Sequence, residues 1–198
     1  ELPEKPIVIT FDDGYSSNYE YAYPLLKKYD MKAAIGVIGW SVGQTMYKGT
    51  DREIYPHFTW EQAKEMADSG LIDIVNHSYD MHEPGPPETE RKGLLQMESE
   101  SSGEYGRALI DDVLQLERLI EQQVGTAGAG LVYTYPYGAY SLMSEQVLAD
   151  LGYAVTLTTR SGVNMVKKGD PQSLMAMNRI NAGLGVSGEA LVKQIEGY

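Results

Sequence analysis

Ile7-Val8-Ile9-Thr10-Phe11-Asp12-Asp13-Gly14 is a β-branched run that stops abruptly at two adjacent carboxylates and a glycine. Such a run suits a parallel strand covered on both faces, so it predicts a buried strand delivering two acids to one rim of a sheet. Successive side chains on a strand diverge. The two carboxylates are therefore expected to point different ways, one able to hold a metal while its neighbour moves protons. Asp-Gly is also an ordinary turn dipeptide, and taken alone it favours plain turn chemistry. What overturns that reading lies further down the chain.

Working outward, apolar runs recur at Ala33 to Ile38, Ile72 to Val75, Leu131 to Tyr135, Ala154 to Thr158 and Leu174 to Ile180. Helix-like segments lie between strands: Pro24 to Tyr29, Thr59 to Ser69, Tyr105 to Val124 and Ser144 to Leu151. In the third, Leu109, Val113, Leu116 and Ile120 share one helical face and predict a core stripe. Alternating strands and helices imply a parallel sheet. Glu83 to Gly103, with Pro84, Pro86 and Pro87, breaks the rhythm. It is too long for a routine connection and is expected to be an ordered loop near the substrate groove, a mobile lid being the alternative. The 198 residues carry no internal repeat or Pro/Ser linker, so residues 1–198 are expected to form a single domain.

The chain has three histidines. Two of them, His77 and His82, follow the apolar Leu71-Ile72-Asp73-Ile74-Val75, so a second strand ends in ligand-type residues. Imidazole and carboxylate are the usual ligands of Zn²⁺, and a catalytic site needs three protein ligands plus one open position. Asp13, His77 and His82 would make that set. Residues five apart are turned by about 140° on an ideal helix, so the two histidines cannot both ligate from a regular one. Irregular backbone is predicted between Ser78 and Met81, either a π-type bulge or a turn.

Thr10-Phe11-Asp12-Asp13-Gly14, the His77-Ser78 to His82 segment and Tyr135-Pro136-Tyr137-Gly138 resemble, in order and separation, the first three motifs of the polysaccharide deacetylases with a NodB homology domain, carbohydrate esterase family 4. The resemblance covers essentially the whole chain. It implies an α/β fold, a distorted (β/α) barrel with fewer than eight regular units, whose chemistry sits at the C-terminal ends of the strands. It also implies Asp12 as general base, Asp13, His77 and His82 as metal ligands, and a backbone amide near Tyr137 as oxyanion donor. Pro136, Tyr137 and Gly138 would line the substrate. The implied cofactor is one divalent ion, Zn²⁺ first, with Co²⁺ or Ni²⁺ as alternatives. The reaction fits independently of the family, because a divalent ion lowers the pKa of bound water and acts as a Lewis acid. With no cysteine and no Gly-x-Ser-x-Gly elbow, covalent acyl-enzyme chemistry has little support.

The chain departs from the common pattern in places. Thr134 stands where the family carries an Arg, and the late motif whose histidine serves as general acid is missing. Arg179, in the late Met175 to Ile180 run, is a candidate for orienting Asp12, with a surface role as the alternative. The five-residue histidine spacing and the Tyr-Pro-Tyr-Gly form are more similar to the branch that deacetylates poly-N-acetylglucosamine. Members of that branch commonly carry a Tyr-His segment upstream of the first motif, which would lie before Glu1. His57 precedes a capping box, Thr59 with Gln62, and reads as a loop residue, lining the cleft being the alternative.

With 28 acids against 16 bases, the net charge of −12 argues against nucleic acid and anionic membrane as ligands. It would suit a neutral glycan whose product is cationic, although solubility alone also accounts for it. Fifteen tyrosines and two tryptophans are suited to stacking on sugar faces. Glu1 to Lys5 has no initiator methionine and reads as the inside of a longer chain; no signal peptide or membrane span is visible. An extracellular or cell-envelope monomer acting on a polysaccharide is the expectation, its location resting on the resemblance. The readings kept beside it are a glycan-binding module with weak turnover, a peptidoglycan deacetylase and an acetylxylan esterase.

Overall fold

The computed structural model describes residues 6–86, 90–125, 130–183 and 185–197. Five strands form one parallel sheet in the order β1 (Ile9–Phe11), β2 (Ala33–Val37), β3 (Ile72–Asn76), β4 (Val132–Thr134), β5 (Val155–Leu157). Helices α1 (Tyr23–Tyr29), α2 (Trp60–Asp68), α3 (Ser102–Gln123) and α4 (Leu142–Asp150) make the crossovers, and α5 (Gly188–Glu196) follows. The result is the curled, distorted (β/α) barrel that the resemblance implies, with five strands where a regular barrel has eight. Crossovers of this kind carry every strand in one direction, so all five C-terminal ends meet at one rim.

Helices α2 to α5 start where a side chain satisfies a free amide. Thr59 and Gln62 close the expected capping box on α2, and Ser101 with Glu104 does the same for α3. Asp30, in the left-handed conformation, ends α1. Helix α3 buries Leu109, Val113, Leu116 and Ile120, as the spacing predicts, and ties two core layers together. Its C-terminal half packs with Ile35, Val37, Ile72 and Ile74; its N-terminal half packs with Tyr133, Tyr135 and Leu148.

Two expectations need correction. The first strand is neither long nor buried: it begins at Ile9, its residues are half-buried, and Ile7 and Val8 are 64% and 80% exposed. It lies at the sheet edge, paired among the described residues only with β2, so its outer side lacks the cover a central strand has. The late run Leu174 to Ile180 is not a regular strand either. Residues Pro171–Leu174 form a 3₁₀ turn and Ala176 sits at φ 51°, which interrupts the extended backbone. What survives is a parallel bridge from Leu157 to Met177 and an Arg179 N–H bond to the Arg160 carbonyl. That is enough to carry Arg179 up to the rim. The readings of Glu1 to Lys5 and of Pro87 fall outside the described residues.

Candidate metal centre

Strand β1 hands its chain to two successive left-handed residues, Asp13 at φ 73° and Gly14 at φ 78°. This sharp turn separates the neighbouring carboxylates. A non-glycine residue held at positive φ is a strained choice that the surroundings must support. A side chain at position 14 would also meet Val37 at 3.1 Å. Asp12 points to Arg179, whose Nη1 and Nη2 donate to its two oxygens at 2.8 and 2.6 Å. Arg179 is itself fixed by an Nε–H bond to the Thr158 carbonyl at 2.7 Å. The pair spans the open side of the sheet, from the edge strand β1 to the segment beside β5.

Asp13 points the other way. One of its oxygens lies 3.3 Å from His77 Nε2 and 3.2 Å from His82 Nε2. Burial would raise the Asp13 carboxyl, but the two imidazoles outweigh it and hold the group well below the usual carboxylate range. Burial likewise disfavours a charged His77, yet Asp13 and Asp12 draw its pKa upward.

His77 follows the last residue of β3 and is 2% exposed. Its Nδ1–H donates to the Thr134 carbonyl at 2.7 Å, with the Thr134 hydroxyl beside it. That bond directs the Nε2 lone pair at Asp13. The approach depends on Gly36: a Cβ there would stand 2.5 Å from Thr134 Oγ1 and 3.2 Å from His77 Cβ.

Between His77 and His82 the backbone is irregular, as predicted, through a turn with Ser78 at φ 73°. Asn76 Oδ1 accepts from Ser78 N–H at 2.9 Å, and the two oxygens of Asp112 accept from Tyr79 and Asp80 N–H at 2.9 and 2.7 Å. Burial pushes the Asp112 carboxyl up to about 6 in spite of those amides. The His82 ring packs against Tyr137, centroids 4.5 Å apart with the planes tilted by 36°, and lies 5.0 Å from the His77 ring.

Tyr137 sits at φ 57°, exposed at the rim, and its N–H has no hydrogen-bond partner among the described residues. Pro136 is buried, and a Cβ on Gly138 would collide with Thr159 Oγ1. The 83–103 segment is ordered where it is described. Leu94 is buried, donates to the Ala139 carbonyl and accepts from Tyr105 OH, which braces the Pro136 turn. His57 is buried against Tyr15, bridged to it in antiparallel fashion with ring centroids 4.9 Å apart, and lies outside the convergent set.

The ligand atoms of Asp13, His77 and His82 lie within 4.8 Å of one another. Three acceptors aimed at one point repel unless a cation or proton sits among them. Two imidazoles with a carboxylate are a donor set suited to a divalent transition metal, and the residues fit such an ion. Sequence reasoning missed Thr134 as the partner of His77 and missed Asp112. The one available signal was an acid within the apolar stripe of α3, beside Val113.

Residues 1–156 match the family model described as polysaccharide deacetylase. The chain is 33% identical over 193 residues to YxkH of Bacillus subtilis (strain 168), which bears a polysaccharide deacetylase name, covering 98% of this chain and 57% of that protein. It is 28% identical over 197 residues to the poly-beta-1,6-N-acetyl-D-glucosamine N-deacetylase of Escherichia coli (strain K12), covering 89% of this chain and 29% of that protein. Among solved structures, the deacetylase domain of BpsB from Bordetella bronchiseptica superposes with a TM-score of 0.73 at 28% identity, over 90% of this chain and 72% of that one. The Streptococcus pyogenes deacetylase PplD in complex with acetate gives 0.69 at 27% identity, over 98% and 73%.

Proposed function

The chain belongs to the polysaccharide deacetylase family, and we propose that it hydrolyses N-acetyl groups on an N-acetylglucosamine-containing polysaccharide with one divalent ion as cofactor. The observation that carries this reading is the convergence of Asp13, His77 and His82 beside an Asp12 held apart by Arg179. Zn²⁺ is the ion favoured by the donor set, with Co²⁺ or Ni²⁺ as substitutes. When bound, the ion would supply Lewis acidity and lower the pKa of water in the site.

The chain's own groups divide the remaining work. Asp12 takes the proton of the attacking water; each of its oxygens keeps a lone pair beyond the one engaged by Arg179. Arg179 fixes the direction of that carboxylate through two charge-assisted hydrogen bonds. The Tyr137 N–H donates to the oxyanion that develops on the acetamide carbonyl. The Tyr137 ring, exposed beside His82, offers a face to the sugar. The departing amine needs a proton, whose donor this reading leaves unassigned. The domain is proposed to act as a monomer on glycan outside the cytoplasm. Among the described residues, no helix is long and apolar enough to cross a membrane.

Acetate release decides the reading. Oligomers of β-1,6-linked N-acetylglucosamine should lose acetyl groups, chelation should stop the reaction and Zn²⁺ should restore it. Muropeptide and acetylxylan should be poorer substrates. Turnover that survives chelation, or acetate from xylan alone, would contradict the proposal.

A further inference from the structure

Among the described residues, no hydrogen bond locks the His82 ring as Thr134 locks His77; its place depends on the backbone around it. That backbone is tied at its near end, where Gly39 and Trp40 N–H groups donate to the Ser78 and Tyr79 carbonyls at 3.0 Å and Asp112 takes the next two amides. It is tied again at the Glu83 carbonyl by Gly93 N–H at 3.1 Å. Met81 and His82 lie between these anchors, flanked by the side chains of Asp80 and Glu83. One ammonium reaches both carboxylates: Lys48 Nζ lies 2.5 Å from Asp80 and 2.6 Å from Glu83.

The group is delivered by a built element. Met46 and Glu53 bridge across a tight hairpin whose tip is Lys48 at φ 37° and Gly49 at φ 74°. The Lys48 ammonium lies 5.3 Å from the Trp40 ring centroid, the Arg52 guanidinium covers Tyr47 at 3.9 Å, and Tyr47 OH donates to Glu83 at 3.1 Å. Cations stacked on these rings restrict the hairpin and fix where the charge is presented.

We propose that Lys48 is a positioning residue for the metal centre, holding His82 in ligating register by clamping Asp80 and Glu83 on either side of it. The inference rests on the assignment of Asp13, His77 and His82 as ligands. The clamp is partly exposed, so it adds little to the stability of the whole fold. Metal affinity is sensitive to groups that orient a ligand, commonly by 10- to 100-fold. Charge alone predicts the opposite sign, because removing a cation close to the site should tighten binding of another cation.

Zn²⁺ affinity, measured by competition with a chromophoric chelator, therefore separates the two effects. Lys48→Met should weaken binding about 10- to 100-fold with little change in the Tm of the metal-free protein, and Lys48→Arg should restore most of the loss. In a His82→Ala background, Lys48→Met should no longer weaken binding. The Co²⁺ absorption spectrum of Lys48→Met should move towards that of His82→Ala. Should Lys48→Met fail to fold, Lys48→Gln removes the charge more gently, with the same weakening expected. Equal or tighter binding by the uncharged variant, or the same loss in the His82→Ala background, overturns the proposal. A wild-type protein that binds no Zn²⁺ overturns the ligand assignment, and the proposal with it.

Discussion

His77 and His82 face the same carboxylate oxygen at 3.3 and 3.2 Å, yet they are held in opposite ways. His77 is 2% exposed, emerges directly from a strand and is fixed by one backbone carbonyl. His82 is 16% exposed, sits on irregular backbone and is placed by groups distant in sequence, Asp112 and Lys48. The sheet positions one half of the site by register, whereas polar clamps position the other. Register is rigid because shifting it moves a whole strand, while a clamp can fail one contact at a time.

The largest expected effect tests the strand half. Asp12→Asn should lower kcat/KM for deacetylation at least about 10²-fold, the usual size of general-base assistance, and leave Zn²⁺ bound. His77→Ala should weaken Zn²⁺ itself by at least about 10²-fold, since even the partners of ligands matter by 10- to 100-fold. Metal content after dialysis distinguishes the two. If Asp12→Asn released the ion as readily as His77→Ala, the division of labour within the acidic doublet would be wrong.

Packing offers a second way to break the same half. Gly36→Ala places a methyl against Thr134 and His77, and overpacking of this kind costs about 1–3 kcal/mol. Denaturant unfolding should report that loss, accompanied by weaker Zn²⁺ binding. Unchanged stability would mean the sheet can yield at this point and is less rigid than the comparison requires.

The smallest effect per unit of the variable changed belongs to the loop half and is a slope. Asp112 has its carboxyl raised from 3.8 to about 6, so the folded protein holds a proton there that the unfolded chain has released. Its stabilising contribution is full below about pH 3.8 and is lost as pH rises through 6. The stability of wild type minus that of Asp112→Asn should fall across this window by at most about 1.4 kcal/mol per pH unit, then level off. Asp13, depressed in both proteins, drops out of the difference. A flat difference would show that burial does not raise the Asp112 carboxyl in the folded protein.

The same contrast explains what the sequence disclosed. Asp12-Asp13, His77 and the α3 stripe are local patterns, set by strand ends and helical spacing, and each could be read from a short window. The exposure of Ile7 and Val8 was not legible, because edge position is a property of the sheet and not of the run. Ala176 broke the late strand at φ 51° although alanine gives no warning of it. Arg179 left two readings open in the sequence, and the structure places it on Asp12 from 167 residues away. Lys48 and Asp112 act through tertiary contacts 32 to 35 residues away from their partners, which no motif window spans.

Zinc-edge anomalous diffraction from Zn²⁺-soaked crystals tests the arrangement most directly. A single peak should lie about 2.0–2.2 Å from one Asp13 oxygen and from Nε2 of both histidines, with Asp12 outside the ligand shell and still paired to Arg179. Density that drew Asp12 into coordination, or that left Asp13, His77 and His82 pointing apart, would contradict it.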